Sequence, residues 1–215
     1  MTDAKTFHSK PLIRLIAGCC LPLILSPLLQ YLAVASFGST AFLWFEMFII
    51  LPFAVALLTL VNAPFLLLVP RLRSFAIRLL IAQAVFAAAT VIGLRFGGAI
   101  RMAAFHSLAE RSTPLVRAIR AYESRHGTPP PGLPALVPEF LPSIPITGMA
   151  AYPQYQYHVG QKAAHYDGNP WVLVVDTPSG GINFDTFMYF PRQNYPKTGY
   201  GGSLEQISDW VYVHE

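Results

Sequence analysis

Long uninterrupted hydrophobic runs fill the first half of the chain, whereas shorter runs separated by turn residues fill the second half. A helix needs about 20 apolar residues to cross a hydrocarbon core of about 30 Å, and each of the first three runs is at least that long. The pattern predicts three transmembrane helices at about residues 12–37, 41–69 and 75–97. They form a membrane anchor over residues 1–97, and residues 98–215 form a separate domain.

The second half begins with a helical pattern and continues with strand patterns. Leu115, Ile119 and Tyr122 recur at helical spacing and predict one apolar face, and Pro114 is expected at the first helical position. Four later segments show the apolar runs or the alternation of strands: residues 154–159, 171–176, 184–190 and 210–214. The predicted fold class is α+β, with one long helix packed on a small antiparallel sheet.

The charged residues indicate which side of the membrane each part occupies. Lys5 and Lys10 precede the first hydrophobic run and Arg14 lies at its start, no basic residue lies between the first and second runs, and three mark the second connection. Because cytoplasmic segments retain Lys and Arg, we expect a multi-pass protein of a bacterial cytoplasmic (inner) membrane with a cytoplasmic N-terminus. The second domain is then periplasmic or extracellular. A re-entrant second span would place that domain on the opposite side.

The excess of basic residues belongs to the membrane anchor alone. Residues 1–97 carry seven basic and two acidic residues, and residues 98–215 carry eight basic and nine acidic ones. The alkaline isoelectric point therefore follows from membrane topology and does not indicate a nucleic-acid partner. The partners that we expect are the lipid bilayer and other proteins of the cell envelope.

A proline-rich segment connects the predicted helix to the first predicted strand. It reads Leu-x-x-Leu-Val-Pro-x-x-Leu from Leu133 to Leu141 and Tyr-Pro-x-Tyr-x-Tyr from Tyr152 to Tyr157. Together with the preceding helix it resembles the globular region of the pseudopilins of type II secretion, the major pseudopilin especially. The matching positions are Ala118, Ile119, Tyr122, Gly127, Pro129, Leu133, Leu136, Val137, Pro138, Leu141, Pro145, Tyr152, Pro153, Tyr155 and Tyr157. The resemblance implies a pilin-like fold.

The start of the third hydrophobic run departs from that family. Pseudopilins have a Gly-Phe processing site with a glutamate soon after it, whereas this chain has no glycine before Phe75 and no acid following it. The prepilin processing motif is therefore absent. The resemblance then implies a stationary envelope module on a three-span anchor rather than a processed filament subunit.

One acidic residue, Glu46, lies inside a predicted membrane span. Its carboxylate could reach the water of the headgroup region near the end of the helix. It could instead pair with Arg14 or Arg95 or take part in proton movement, because charged residues within membranes mark functional sites. Both interpretations remain open from the sequence.

Several polar residues of the second domain are candidate metal ligands. His158, His165 and Asp167 carry groups that suit zinc or manganese, but their spacing matches no compact motif and exposed polar positions explain them equally well. Asp176 and Asp185 bracket a segment rich in oxygen ligands, and the resemblance to the major pseudopilin implies calcium in this late loop. An ordinary hairpin connection also accounts for the segment, because it lacks EF-hand spacing. No other cofactor is expected.

Aromatic residues are concentrated in the second domain. Tyrosine and tryptophan suit both a small core and a binding surface, since each ring is largely apolar and carries one polar group. The candidates for an interaction surface are Tyr166, Tyr195, Tyr200 and Trp210.

The sequence motifs indicate a structural role more strongly than a catalytic one. No catalytic residue is identified, because the chain lacks the motifs of nucleophilic hydrolases, zinc proteases, P-loop proteins and dinucleotide-binding proteins. We expect a non-enzymatic membrane protein that presents its second domain to partners in an envelope assembly. The alternative is an enzyme or transporter subunit that uses Glu46 or the group of His158, His165 and Asp167.

Overall fold

The structure, a computed structural model, describes residues 9–180 and 183–214. It combines helices with a single antiparallel sheet, which confirms the α+β class. The helices of the described residues are α1 (Ser9–Cys19), α2 (Pro22–Val34), α3 (Ala41–Leu66), α4 (Arg73–His126) and the short α5 (Gln161–Ala164). Two 3-10 turns, Pro70–Leu72 and Leu133–Leu136, lie before and after α4.

Three helical segments are long and apolar enough to cross a membrane: Ile13–Val34, Ala41–Asn62 and a stretch within Pro70–His126. The expectation of a membrane-spanning protein is confirmed at this level. The first segment is interrupted between α1 and α2, because Pro22 has no backbone N–H with which to continue the helical hydrogen bonds.

The predicted helix start at Pro114 is wrong. Helix α4 continues through Gly97, Gly98 and Pro114, so the proline lies in the helix interior. Proline removes one helical hydrogen bond, and here its ring is exposed, so that water can solvate the carbonyl left without a partner. A buried stripe continues on both sides of it, with Phe105 and Leu108 before and Leu115 and Ile119 after.

The described chain divides into two compact units. The first unit contains residues 1–31 and 44–100, and the second contains residues 32–43 and 101–215. The connection between the first two apolar helices thus belongs to the same unit as the sheet. Helix α4 contributes to both units, with the division falling after Ile100.

Within the first unit, helices α2 and α4 approach each other at two glycines. A Cβ atom added at Gly93 would overlap the carbonyl oxygen of Pro22, and one added at Gly97 would lie 2.9 Å from Gln30 Cγ and 3.0 Å from Ser26 Oγ. Glycines four residues apart allow two membrane helices to pack at this distance.

Six strands form the sheet of the second unit, in the order β1-β2-β3-β6-β5-β4, and all neighbouring strands are antiparallel. The strands are β1 (Gln156–Val159), β2 (Trp171–Asp176), β3 (Thr186–Tyr189), β4 (Thr198–Gly199), β5 (Gly202–Ile207) and β6 (Trp210–His214). The strands at 171–176 and 210–214 agree with the prediction. The sheet is larger than predicted, because β4 and β5 were not expected from the sequence.

Alternation along the strands gives the sheet two apolar faces. Large aromatic residues on the first face pack against α4: the ring of Phe105 lies 5.2 Å from that of Phe187 and 4.9 Å from that of Tyr212. Residues of the second face and of α5 form a separate buried cluster: Ala163, Val172, Val174, Met188, Phe190, Val211 and Val213. Half-buried Tyr166, Tyr195 and Tyr200 cover that second cluster. Both faces of the sheet are thus covered.

Candidate functional site

A groove of about 510 Å³ opens in the layer that covers the second face of the sheet. Its walls are formed by His158, Lys162, His165, Tyr166 and Tyr200, and we call it the tyrosine groove. Lys162 and His165 are exposed, and the three aromatic residues are half-buried. The groove thus combines flat apolar surfaces with basic side chains, as binding sites of proteins commonly do.

Three of the lining rings form a continuous stack. The His158 and Tyr166 rings are 5.7 Å apart, and the Tyr166 and Tyr200 rings are 5.4 Å apart, with both pairs nearly parallel. The Tyr200 hydroxyl donates a hydrogen bond to the Asp167 carboxylate. The floor of the groove is therefore built from side chains that hold one another in place.

The surroundings of the groove change the proton affinity of its lining residues. Burial lowers the pKa of His158, and the nearby Lys162 lowers that pKa further, whereas Asp176 opposes both effects. Burial raises the pKa of Tyr166 and of Tyr200, and for Tyr200 the hydrogen bond to Asp167 adds to the effect. His158 therefore favours its neutral form and both tyrosines retain their hydroxyl protons at neutral pH.

Of the four aromatic residues predicted for an interaction surface, two line the groove. Tyr166 and Tyr200 are lining residues, and Tyr195 lies beside them, with its hydroxyl donating to the backbone oxygen of Asp209 at 2.6 Å. Trp210 is in a different position: it is 2% exposed and stacks on Phe187 in the core, with ring centres 4.9 Å apart. Its place in β6 directs it toward α4, so it offers no free surface.

The candidate metal ligands His158, His165 and Asp167 do not form a metal site among the described residues. His158 and His165 both line the groove, but Asp167 is bonded to Tyr200, and the described residues contain no group of three or more His, Cys, Asp or Glu able to hold a metal ion.

The predicted calcium pair is separated by the alternation of the strands. Thr186 is paired with Asp176, so Asp176 shares the second face with Val174, whereas Asp185 lies one residue earlier than Thr186 and points to the first face. Asp176 accepts a hydrogen bond from Gln156 and is exposed, and Asp185 accepts one from Tyr212 and is 3% exposed. The two carboxylates therefore do not face a common ligand.

Arg101 is a buried charged residue that was not singled out from the sequence. Its guanidinium donates to the hydroxyl oxygens of Tyr152 at 2.9 Å and Tyr212 at 3.3 Å and to the backbone oxygen of Thr177, and it lies over the ring of Phe105 at 4.9 Å. Arg101 lies four residues before Phe105, so it belongs to the same buried face of α4 as Phe105 and Leu108. An arginine on such an apolar face is the signal that could have identified it.

The Arg101 contacts continue into the loop between β2 and β3. The Tyr212 hydroxyl bridges Arg101 to Asp185, and the Asn183 amide donates to the same Asp185 carboxylate at 2.9 Å. Burial raises the pKa of Tyr212, so its hydroxyl retains the proton that it donates. Two opposite charges are thus joined through one tyrosine, an arrangement that fixes the loop and requires no ligand.

Glu46 lies in the first unit and is 6% exposed. One of its carboxylate oxygens accepts a hydrogen bond from Ser26 Oγ, and the other accepts one from Gln30 Nε2 at 2.6 Å. The carboxylate is therefore buried and does not reach the water of the headgroup region. Its hydrogen-bond partners are the neutral Ser26 and Gln30 side chains, and not Arg14 or Arg95.

The chain matches no protein-family model, no curated protein and no solved structure.

Proposed function

We propose that this chain is a membrane-anchored docking protein, which presents a pilin-like α+β domain to another protein of the cell envelope. The observation that carries this proposal is the tyrosine groove, which combines stacked rings with basic side chains on the second face of the sheet. The proposed role is structural and does not involve catalysis.

The architecture of the second unit supports the pilin-like assignment. The sequence of this unit resembles that of the pseudopilins, which implies a pilin-like fold. A pilin-like fold is expected to pack one long helix on an antiparallel sheet. Here Leu115 and Ile119 of α4 are fully buried, and the Arg120 guanidinium donates to the Tyr189 hydroxyl of β3 at 2.6 Å.

Contacts of residues 32–43 support the proposed topology. The backbone N–H of Ala150 donates to the oxygen of Ala35 at 3.3 Å, and a Cβ added at Gly180 would lie 3.1 Å from the Leu43 oxygen. These contacts support the proposal of three full crossings, because that topology puts the first connection and the second unit on the same side of the membrane.

The lining of the groove favours a protein segment that carries an acidic side chain next to an apolar one. Lys162 is exposed at the rim and attracts a carboxylate, and the faces of Tyr166 and Tyr200 offer apolar area at small entropic cost. Tyrosine-rich surfaces of this kind are enriched in protein interfaces.

Site-specific photo-crosslinking tests the proposal in intact cells. A benzoylphenylalanine introduced at His165, inside the groove, should crosslink to one defined envelope protein, and the same group at exposed Ser203 on β5 should not. Lys162→Glu should abolish the crosslink from His165, because it repels an acidic partner. Arg117→Glu, which reverses an exposed charge on α4, should leave it intact.

Equal crosslinking from His165 and Ser203 would contradict a specific docking site. So would a crosslink from His165 that the Lys162→Glu and Arg117→Glu variants retain to the same extent.

A further inference from the structure

We propose that Glu46, Gln30 and Ser26 form a binding site for an alkali-metal cation inside the membrane unit. The three side chains meet where α2 and α3 pack together, and all three are buried. This site is independent of the docking function, which belongs to the second unit.

The first argument is the charge of Glu46. Within the described part of the chain, the ion pairs join Arg125 to Glu139 and His214 to Glu205, and Glu46 receives its hydrogen bonds from a hydroxyl and an amide. A carboxylate enclosed in an apolar environment without a positive partner is strongly unfavourable. A cation beside it restores the balance of charge.

The second argument is an oxygen atom of Gln30 that lacks a partner. Gln30 is 7% exposed, and its Oε1 is buried with no hydrogen-bond donor, although its Nε2 lies on the Glu46 carboxylate. Buried polar atoms almost always have a partner. A cation that binds Gln30 Oε1 as well as the Glu46 carboxylate would provide the missing partner.

Two further features shape the site. Helix α4 approaches at Gly97, since an added Cβ would lie within 3.0 Å of both Gln30 and Ser26 side-chain atoms. In α2, Pro27 has no N–H, so the Leu23 carbonyl cannot form its usual hydrogen bond four residues ahead, and positions 23, 26 and 30 share one helix face. Carbonyl oxygens of interrupted membrane helices are typical ligands of Na⁺.

The single charge of the site selects the class of ion. One carboxylate balances one positive charge, whereas a divalent ion would leave an excess charge in the bilayer. The ligands are hard oxygen atoms, which do not favour soft transition metals. The probes that follow from this are Na⁺ and K⁺.

Thermal unfolding of the purified full-length protein in three salts tests the proposal. At equal concentration, NaCl or KCl should raise the Tm by about 5 °C above its value in choline chloride, because a ligand that binds only the folded state stabilises it. The larger of the two shifts identifies the ion. Glu46→Gln should remove the difference between the salts, because the negative charge that binds the cation is gone.

Two more variants keep the test decisive if Glu46→Gln does not fold. Gln30→Leu removes the oxygen and retains the carboxylate, and it should raise at least tenfold the salt concentration that gives half of the shift. Glu139→Gln, at an exposed ion pair of the second unit, should retain the full response. Identical Tm values of the wild type in all three salts would overturn the proposal, as would an unchanged salt response in Gln30→Leu.

Discussion

The Arg101 guanidinium connects four separate parts of the second unit. It joins α4 to the segment that precedes β1, to the backbone after β2 and to β6, through Tyr152, Thr177 and Tyr212. A buried charge is tolerated when each of its donors has an acceptor and when aromatic faces surround it. Each of the three nitrogen atoms of the Arg101 guanidinium donates one hydrogen bond, and the Phe105, Tyr152 and Tyr212 rings lie beside it, so Arg101 holds these parts of the unit together.

Replacing Arg101 with methionine should destabilise the second unit by about 3 kcal/mol. The substitution preserves much of the side-chain volume but removes the guanidinium donors from the Thr177 oxygen and from the Tyr152 and Tyr212 hydroxyls, all of which are buried. Chemical denaturation followed by the fluorescence of Trp171 and Trp210 measures this change.

The control for this prediction is Arg117→Met, at an exposed position of the same helix. It should change the free energy of unfolding by less than about 0.5 kcal/mol. A similar small effect for Arg101→Met would mean that the buried hydrogen bonds contribute nothing to stability.

At the level of elements, glycine spacing determines how α2 and α4 pack. Gly93 and Gly97 lie four residues apart and face Pro22, Ser26 and Gln30. Gly98, the next residue, has no atom within 4 Å of an added Cβ. Gly93 and Gly97 therefore have no space for a side chain beside α2, whereas Gly98 of the same helix has free space for one.

Gly93→Ala should reduce the stability of the first unit by about 1 to 3 kcal/mol, because the new methyl group meets a backbone oxygen that cannot move aside. Gly98→Ala should be neutral or slightly stabilising, since alanine favours helix and has free space at this position. Thermal unfolding of the two variants in detergent compares them directly. Equal Tm values would show that α2 and α4 do not pack through Gly93.

Some elements could be predicted from the sequence, and others depend on distant partners. The continuous apolar runs of β2 and β6 identify strands because both their faces are buried. Strand β5 is mostly exposed and rich in polar residues, and it becomes a strand through pairing with β6.

The tyrosine groove shows the same limit. Residue types suggested His158, His165, Tyr166 and Tyr200 as candidates, but their convergence depends on the register of β1 against β2 and on the position of the β4–β5 turn that carries Tyr200. Neither can be obtained from local sequence patterns. For Asp176 and Asp185, by contrast, the alternation along β2 and β3 would have separated the pair if the strand register had been known.

At the level of the whole molecule, the proposed topology predicts which cysteines react in spheroplasts. In a background where Cys19 and Cys20 are serine, cysteines introduced at Ser39 and Ser203 should react with a membrane-impermeant maleimide, and one at Ser74 should not. Ser39 and Ser203 belong to the second unit, and Ser74 lies among the basic residues of the second connection.

Lysis before labelling provides the control, because all three cysteines should then react. Labelling of Ser74→Cys in intact spheroplasts, with protection of Ser203→Cys, would place the second unit in the cytoplasm and contradict the proposal.

The position of β6 has a consequence for how the protein is made. It is the last strand in chain order, yet it lies between β3 and β5 and pairs with both of them. During translation, β5 and β4 have no place to attach until residues 210–214 have left the ribosome. A premature stop just before Trp210 would divide the sheet in two, and a quality-control protease would meet an open strand edge on each half.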